Sequence, residues 1–130
     1  MAHEVQHWQN LRAAIADDEP LSRKKTRLLL SREPGIQIVG EFNGLEEAVA
    51  GLKKHRPDLL VLAIEIAGKN TLEVLQKIAR EELPALIFTT TYDDPRLELF
   101  KSRSLNVLAK PFDQERLHVA VAQARAECFS

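Results

Sequence analysis

The sequence lacks most of the features that would tie the chain to zinc, to a disulfide framework or to a nucleic acid. It has one cysteine, Cys128, so no internal disulfide can form, and no cysteines and histidines have zinc-site spacing. We expect Cys128 to be an incidental surface thiol. The formal net charge of −1 gives no electrostatic reason for non-specific binding to nucleic acid or to a membrane surface.

Long apolar runs and glycine-rich loops are also missing. No segment approaches the roughly 20 apolar residues of a membrane span. Residues 1–10 are polar and do not resemble a signal peptide, which favours a cytoplasmic location. The first predicted strand is followed by Asp-Asp-Glu-Pro at 17–20 rather than by a glycine-rich phosphate loop. A nucleotide-binding domain of related topology is therefore the weakest of the functional hypotheses.

What the sequence does contain is a regular alternation of short apolar runs and amphipathic stretches over its 130 residues. The predicted strands are 11–16, 36–41, 59–64, 84–90 and 105–109, and the predicted helices are 20–32, 45–54, 71–81, 94–102 and a last one capped by Asp113. Five strand-then-helix units predict an α/β fold, a doubly wound parallel sheet with helices on both faces. We assign one domain to residues 11–130 and an N-terminal arm to residues 1–10.

Position 63 is the most informative one in the chain. The apolar run Leu59–Leu62 is typical of a strand that is buried on both faces. The residue that follows lies at the carboxyl end of the sheet, where open α/β folds place their chemistry. That residue is Ala63, which offers no proton, charge or nucleophile.

Polar residues follow three of the other predicted strands. Asp17 and Asp18 follow the first strand, Thr90 ends the fourth, and Lys110 precedes Pro111 at the end of the fifth. Taken singly, each is explained as well by a turn, a strand end or a loop. Together they suit a phosphoryl group: carboxylates hold a divalent cation such as Mg²⁺, a hydroxyl donates to an oxygen, and an ammonium pairs with the charge.

The chain resembles a response-regulator receiver domain of two-component signalling, and it most resembles the receivers that precede LytTR-type DNA-binding domains. Four motifs between residues 11 and 126 carry the resemblance: Ala-Asp-Asp-Glu-Pro at 16–20, Pro-Asp-Leu-Leu-Val-Leu at 57–62, Ile-Phe-Thr-Thr-Thr-Tyr-Asp at 87–93 and Lys-Pro-Phe at 110–112. The resemblance implies a flavodoxin-like (βα)5 fold with strand order 2-1-3-4-5. It also implies a bacterial signalling module of a phosphorelay rather than an enzyme.

The resemblance assigns roles to individual residues. Asp17 and Asp18 match the acidic pair that binds Mg²⁺, and the backbone carbonyl of Glu65 is implied as a further metal ligand. Thr90 matches the hydroxyl that follows the phosphoryl group during the switch. Lys110 matches the lysine that contacts the acyl phosphate, and its bond to the following proline is usually cis in the family.

The phosphoacceptor aspartate of the family falls on Ala63. The chain as written therefore cannot be phosphorylated there, and Mg²⁺ should bind weakly or not at all. Four further positions depart from the family: Ala67 replaces a common proline, Thr71 a common glycine, Thr91 a small alanine and Val107 an aromatic switch residue.

Two explanations of Ala63 remain open on the sequence. In one, the chain is a natural pseudo-receiver, as the departures at other positions favour. In the other, it is an engineered variant of a phosphoaccepting receiver that controls a LytTR-type DNA-binding output, as the retained Asp17, Asp18, Thr90 and Lys110 favour. In either case we expect Lys110 to pair with Asp17 or Asp18, because the two carboxylates would otherwise repel each other.

The expected partner is a histidine kinase or a phosphotransfer protein. The chain itself should contact neither a nucleic acid nor a membrane. The resemblance also implies a homodimer through the face made by the fourth helix, the fifth strand and the fifth helix. The residues expected on that face are Arg96, Lys101, Arg103, Asn106, His118 and Arg125.

Overall fold

A five-stranded parallel sheet forms the centre of the protein in a computed structural model that describes residues 10–102 and 106–129. The strands in chain order are β1 (Leu11–Ala16), β2 (Ile36–Phe42), β3 (Leu59–Ala63), the two-residue β4 (Glu65–Ile66) and β5 (Lys69–Asn70), β6 (Ala85–Thr91) and β7 (Val107–Lys110). The sheet order is β2-β1-β3-β6-β7. The predicted flavodoxin-like order 2-1-3-4-5 is confirmed, with β6 and β7 as its fourth and fifth strands.

The α-helices of the described residues are α1 (Pro20–Ser31), α2 (Leu45–His55), α3 (Thr71–Leu75), α4 (Leu97–Ser102) and α5 (Gln114–Phe129). The first four lie between strands, and α5 follows β7. The predicted third helix, 71–81, is wrong in length. After Leu75 the amides of Lys77 and Ile78 bond to carbonyls three residues back, which ends the α-helical ladder. Ile78 and Leu83 pack against the core instead, so tertiary packing overrides the helical periodicity of the sequence.

The core has two layers, one on each face of the sheet. Alternate side chains of β3 point to opposite faces, so Leu59 and Val61 join the layer beneath α1 and α5. Leu60 and Leu62 join the layer beneath α2 and α3. Burial on both faces is the reason that β3 reads as an unbroken apolar run.

A buried carboxylate joins α1 to α5. Glu33, just after α1, is 6% exposed and lies 2.7 Å from His118 Nδ1 and 2.6 Å from Gln114 Nε2, both on α5. Arg125, two turns further along α5 than His118, donates to the carbonyl of Pro34. His118 and Arg125 therefore face the end of α1, and their predicted place on the outer face of β7 and α5 is wrong.

The two ends of α5 test further predictions from the sequence. Asp113 caps α5 as predicted, because its Oδ1 accepts from the Arg116 amide at 2.9 Å. Cys128 is partly buried rather than fully at the surface, with Sγ 3.3 Å from the Asp58 carbonyl, and burial raises the pKa of its thiol. The arm at residues 1–9, the start of the predicted fifth strand at residue 105, and Arg103 lie outside the described residues.

We predict that Leu117→Ala lowers the free energy of unfolding by about 2–5 kcal/mol, because Leu117 is fully buried between α5 and the sheet. Urea denaturation followed by circular dichroism measures the change. Leu21→Ala is the matched control, since Leu21 is 83% exposed on α1 and its truncation should change stability by less than about 0.5 kcal/mol. Similar losses in the two variants would contradict this assignment of the core.

Candidate functional site

The predicted site residues meet at the carboxyl ends of the parallel strands. Lys110, at the end of β7, places Nζ 3.0 Å from Oδ2 of Asp17, which follows β1. The same ammonium lies 3.8 Å from Glu19 Oε1. Between β1 and β7 lie β3 and β6, which end at Ala63 and Thr91. The predicted pairing of Lys110 with an acidic residue of the first loop is confirmed.

Asp17 is buried, at 3% exposed, and both of its carboxylate oxygens have donors. Oδ1 accepts from the Glu19 amide at 2.9 Å, and Oδ2 accepts from the Ser22 hydroxyl at 2.7 Å as well as from Lys110. These bonds satisfy a carboxylate that would be costly to bury alone. Asp17 thus fixes the start of α1 relative to β7.

Asp18 contacts the hairpin formed by β4 and β5. Its Oδ2 accepts from the backbone N–H of Ala67 at 2.9 Å. Ala67 has φ 52° and Gly68 has φ 77°, so both central residues of this two-residue turn are left-handed, as in a type I′ hairpin. A proline could neither adopt that φ nor donate a hydrogen bond. Both the hairpin turn and the Asp18 contact therefore require a residue other than the family's common proline at position 67.

Thr71 is fully buried beneath the site. Its hydroxyl oxygen lies 2.8 Å from the carbonyl oxygen of Ala63 and 2.9 Å from that of Ile64, and its amide donates to the Ile64 carbonyl at 2.7 Å. A glycine, common here in the family, has no hydroxyl to bind these carbonyls. Thr71 thus holds the end of β3 to the start of α3.

Thr90 belongs to a second network that the sequence did not reveal. Its hydroxyl lies 2.6 Å from Oδ2 of Asp94, in the loop after β6. Arg96 binds both oxygens of Asp94, with Nε 3.0 Å from Oδ1 and Nη2 2.9 Å from Oδ2. Hydrogen bonds from Arg96 hold the pKa of Asp94 far below its usual value against the opposing effect of burial, and Asp94 in turn raises the pKa of Arg96.

Arg96 also reaches the hairpin, because its Nη2 lies 3.2 Å from Oε1 of Glu65. Its predicted place on an outer interaction face is therefore wrong: the guanidinium points to the site. The sequence predicted that the fourth helix begins at residue 94, whereas α4 begins at Leu97. No pattern in the sequence indicated where the Arg96 side chain would point.

The residues do not fit a magnesium site as they are arranged. Lys110 and Ser22 already bind one oxygen of Asp17, the Ala67 amide binds Asp18, and Ala63 offers no carboxylate. Among residues 10–102 and 106–129, no group of three or more histidine, cysteine or acidic side chains is arranged to hold a metal ion. The roles of Asp17, Asp18 and Glu65 as metal ligands stay predictions. The predicted cis bond between Lys110 and Pro111 is confirmed.

Residues 13–122 match the family described as the response regulator receiver domain. The chain belongs to this family. It is 33% identical over 117 residues to the transcriptional regulatory protein BtsR of Escherichia coli strain K12, covering 90% of this chain and 49% of that protein. It is 34% identical over 108 residues to the sensory transduction protein LytT of Bacillus anthracis, covering 82% and 44%. These relatives confirm the predicted similarity to receivers of LytTR-type regulators.

Solved structures of other receivers have the same fold. The signal receiver domain of a modulated diguanylate cyclase from Desulfovibrio desulfuricans G20 has a TM-score of 0.77 at 25% identity, covering 92% of this chain and 97% of that one. The isolated receiver domain of RcsB from Salmonella enterica serovar Typhimurium has a TM-score of 0.75 at 20% identity, covering 91% and 90%. The receiver chain spans about half the length of the curated relatives it matches.

No helix within the described part of the receiver is long and apolar enough to cross a bilayer.

We predict that Ala67→Pro lowers the free energy of unfolding by about 2 kcal/mol or more, because it removes a hydrogen bond to a carboxylate and forbids the positive φ. Ala67→Gly is the control, since glycine adopts this φ freely and keeps the N–H. It should leave stability within about 1 kcal/mol of the native value. Urea denaturation checks both, and a proline variant as stable as the glycine variant would show that the left-handed turn is not required.

Proposed function

We propose that this receiver takes part in two-component signalling without accepting a phosphoryl group itself. The observation that carries the proposal is the position of Ala63 at the end of β3, in the middle of the strand ends that also carry Asp17, Thr90 and Lys110. A methyl group at that place can be neither phosphorylated nor used as a metal ligand. The signal would then come from binding a partner rather than from a covalent change, and we propose no catalytic activity.

The contacts around Ala63 support this reading. Lys110 pairs with Asp17, the Ala67 amide binds Asp18, and Thr90 bonds to Asp94. Polar groups that the resemblance assigns to magnesium and phosphate thus have partners within the chain. We propose that Mg²⁺ binds weakly or not at all in this state, for the reasons of geometry given above.

A second candidate is a phosphoaccepting receiver whose native residue at position 63 is an aspartate. The retention of Asp17, Asp18, Thr90 and Lys110 at one edge of the sheet favours it, since these are the groups that surround a phosphoryl group in the family. In that case a carboxylate at position 63, at the end of β3, would compete with Asp17 for the Lys110 ammonium.

The partner in either case is a histidine kinase or a phosphotransfer protein, by similarity to the family. Because the receiver spans about half of BtsR and LytT, a LytTR-type DNA-binding output attached to it or working beside it is part of the proposal. The receiver itself would bind no nucleic acid and no membrane, and a cytoplasmic location stays a prediction.

We propose homodimerisation through the face of α4, β7 and α5, with its β7–α5 part at the centre of the contact. A groove of about 570 Å³ lies on this face, and Tyr92, Val107 and Val119 supply its apolar part. Tyr92 and Val119 are each 54% exposed, and Arg116 next to them lies 3.3 Å from the Tyr92 hydroxyl. Exposed apolar side chains with a polar rim are typical of a protein interface.

We expect no mass gain in the native receiver incubated with acetyl phosphate and Mg²⁺, measured by intact-protein mass spectrometry. Ala63→Asp tests the two candidates against each other. Our proposal expects slow or no uptake by the folded variant, because the neighbouring carboxylates and Thr90 already have partners. Rapid uptake of one phosphoryl group would favour the phosphoaccepting candidate instead.

Ala63→Asn is the matched control, since its side chain has the shape of aspartate but cannot form an acyl phosphate. Circular dichroism must show that all three proteins are folded. Phosphoryl uptake by the native protein at any residue would contradict the proposed function.

We predict that the native receiver self-associates and that Val119→Glu abolishes the association, because it places a charge in the apolar part of the groove. Sedimentation equilibrium over a range of concentrations measures this. Leu28→Glu is the control, since Leu28 is 45% exposed on α1 and does not line this groove. A native protein that stays monomeric, or equal loss of association in both variants, would contradict a dimer through this face.

A further inference from the structure

Arg96 joins two parts of the site that are far apart in the chain. It lies in the loop between β6 and α4, and its guanidinium contacts Asp94 in the same loop and Glu65 at the start of the β4–β5 hairpin. The Arg96 side chain is 34% exposed, whereas that of Asp94 is 9% exposed. The guanidinium of Arg96 thus covers the carboxylate of Asp94, which is nearly buried.

Asp94 depends on this cation. The side chain and amide of Arg96 supply three of its bonds, to Oδ1 from Nε and from the amide at 2.8 Å and to Oδ2 from Nη2. The Thr90 hydroxyl supplies the fourth, to Oδ2. Without the guanidinium a nearly buried carboxylate would lose its counter-charge, which is costly. The position of the Thr90 hydroxyl therefore follows from the position of Arg96, although the two side chains are not bonded to each other.

Each of the four carboxylates has at least one hydrogen-bond donor within the chain. Asp17 has Lys110, Asp94 and Glu65 share Arg96, and Asp18 has the Ala67 amide. A divalent cation that took Asp17 and Asp94 as ligands would have to compete with Lys110 and Arg96. Where the family is expected to hold a metal ion, this receiver has the guanidinium of Arg96 bound next to Thr90 through Asp94.

We propose that Arg96 is a positioning residue that fixes Thr90 through Asp94 and ties the β6–α4 loop to the β4–β5 hairpin, so that the receiver keeps one conformation of this loop without a metal ion or a phosphoryl group. The role of Arg96 would regulate the site through which the receiver is proposed to signal, and this part of the inference rests on the proposed function. Arginine suits the role because its planar fork binds both oxygens of a carboxylate, which a lysine ammonium does not do.

Amide hydrogen exchange of the native chain and of Arg96→Ala tests the proposal. The reporters are the amides of residues 94, 96 and 97, which bond to the Thr91 carbonyl, to Asp94 Oδ1 and to the Asp94 carbonyl. We expect exchange at these amides to become about tenfold faster in Arg96→Ala, because charge-assisted hydrogen bonds that hold the loop are lost. Amides of β3 report global unfolding, so any change in their rates measures a loss of overall stability separately from opening of the loop.

Arg27→Ala is the matched control. Arg27 is 40% exposed and binds a carboxylate, Glu41, at 3.1 Å on another part of the surface, so its removal deletes a comparable ion pair away from the site. Arg27→Ala should leave hydrogen exchange at the amides of residues 94, 96 and 97 unchanged. Equal acceleration in both variants, or no acceleration in Arg96→Ala, would overturn the proposal.

Two further variants separate the role of the fork from that of charge. Arg96→Lys keeps the charge and should restore the rates only in part. Glu65→Gln removes the negative charge from the contact to the hairpin and should raise exchange at residues 66–69 by no more than about threefold, because that pair is half-exposed. The amides of residues 94, 96 and 97 should keep their rates. Full restoration by lysine would overturn the role of the guanidinium fork.

Magnesium supplies the last comparison. Added Mg²⁺ should leave exchange at residues 94–97 of the native protein unchanged, since the loop is already held, and marked slowing would overturn the proposal. These outcomes are separable from those of the proposed function. Phosphoryl uptake by the protein with Ala63 would contradict the proposed function but would not bear on the exchange result for Arg96→Ala. Unchanged exchange rates in Arg96→Ala would overturn only the role of Arg96.

Discussion

The buried carboxylate of Asp17 is the constraint on which the arrangement of the site depends. A charge that is nearly removed from water must have donors around it, and Asp17 finds them in the Glu19 amide, the Ser22 hydroxyl and the Lys110 ammonium. These donors come from the start of α1 and from the end of β7. One carboxylate therefore positions a helix and a strand that are remote in the sequence.

Around that constraint the site divides into two networks of ion pairs and hydrogen bonds. The Asp17 network is anchored by Lys110, and the network of Thr90 and Asp94 is anchored by Arg96. Neither network needs a group at position 63 to satisfy its charges. A receiver can therefore keep the outline of a phosphoryl site while the reactive atom is missing, since the outline is stabilised by ion pairs between its own residues.

The parallel sheet and the Asp17–Lys110 part of the site could be predicted, because short apolar runs and adjacent polar residues in the sequence indicate them. The apolar runs located every strand of the parallel sheet. The two adjacent carboxylates of the first loop predicted that Lys110 pairs with Asp17 or Asp18, and the structure shows the pair with Asp17. The β4–β5 hairpin was missed because two-residue strands have no periodicity and Ala-Gly is a weak turn signal. Arg96 and His118 were placed on the wrong face because the direction of a surface side chain depends on tertiary partners, here Asp94 and Glu33.

The left-handed turn at Ala67 has a consequence for how such a receiver can change over evolutionary time. While Asp18 is bound to the Ala67 amide, a return of proline at this position would break that contact before any benefit from the proline could appear. An aspartate restored at position 63 would likewise enter a site whose other carboxylates already have partners. If the receiver signals without a phosphoryl group, as proposed, the order of such substitutions matters, and more than the single codon at position 63 separates it from a phosphoaccepting receiver.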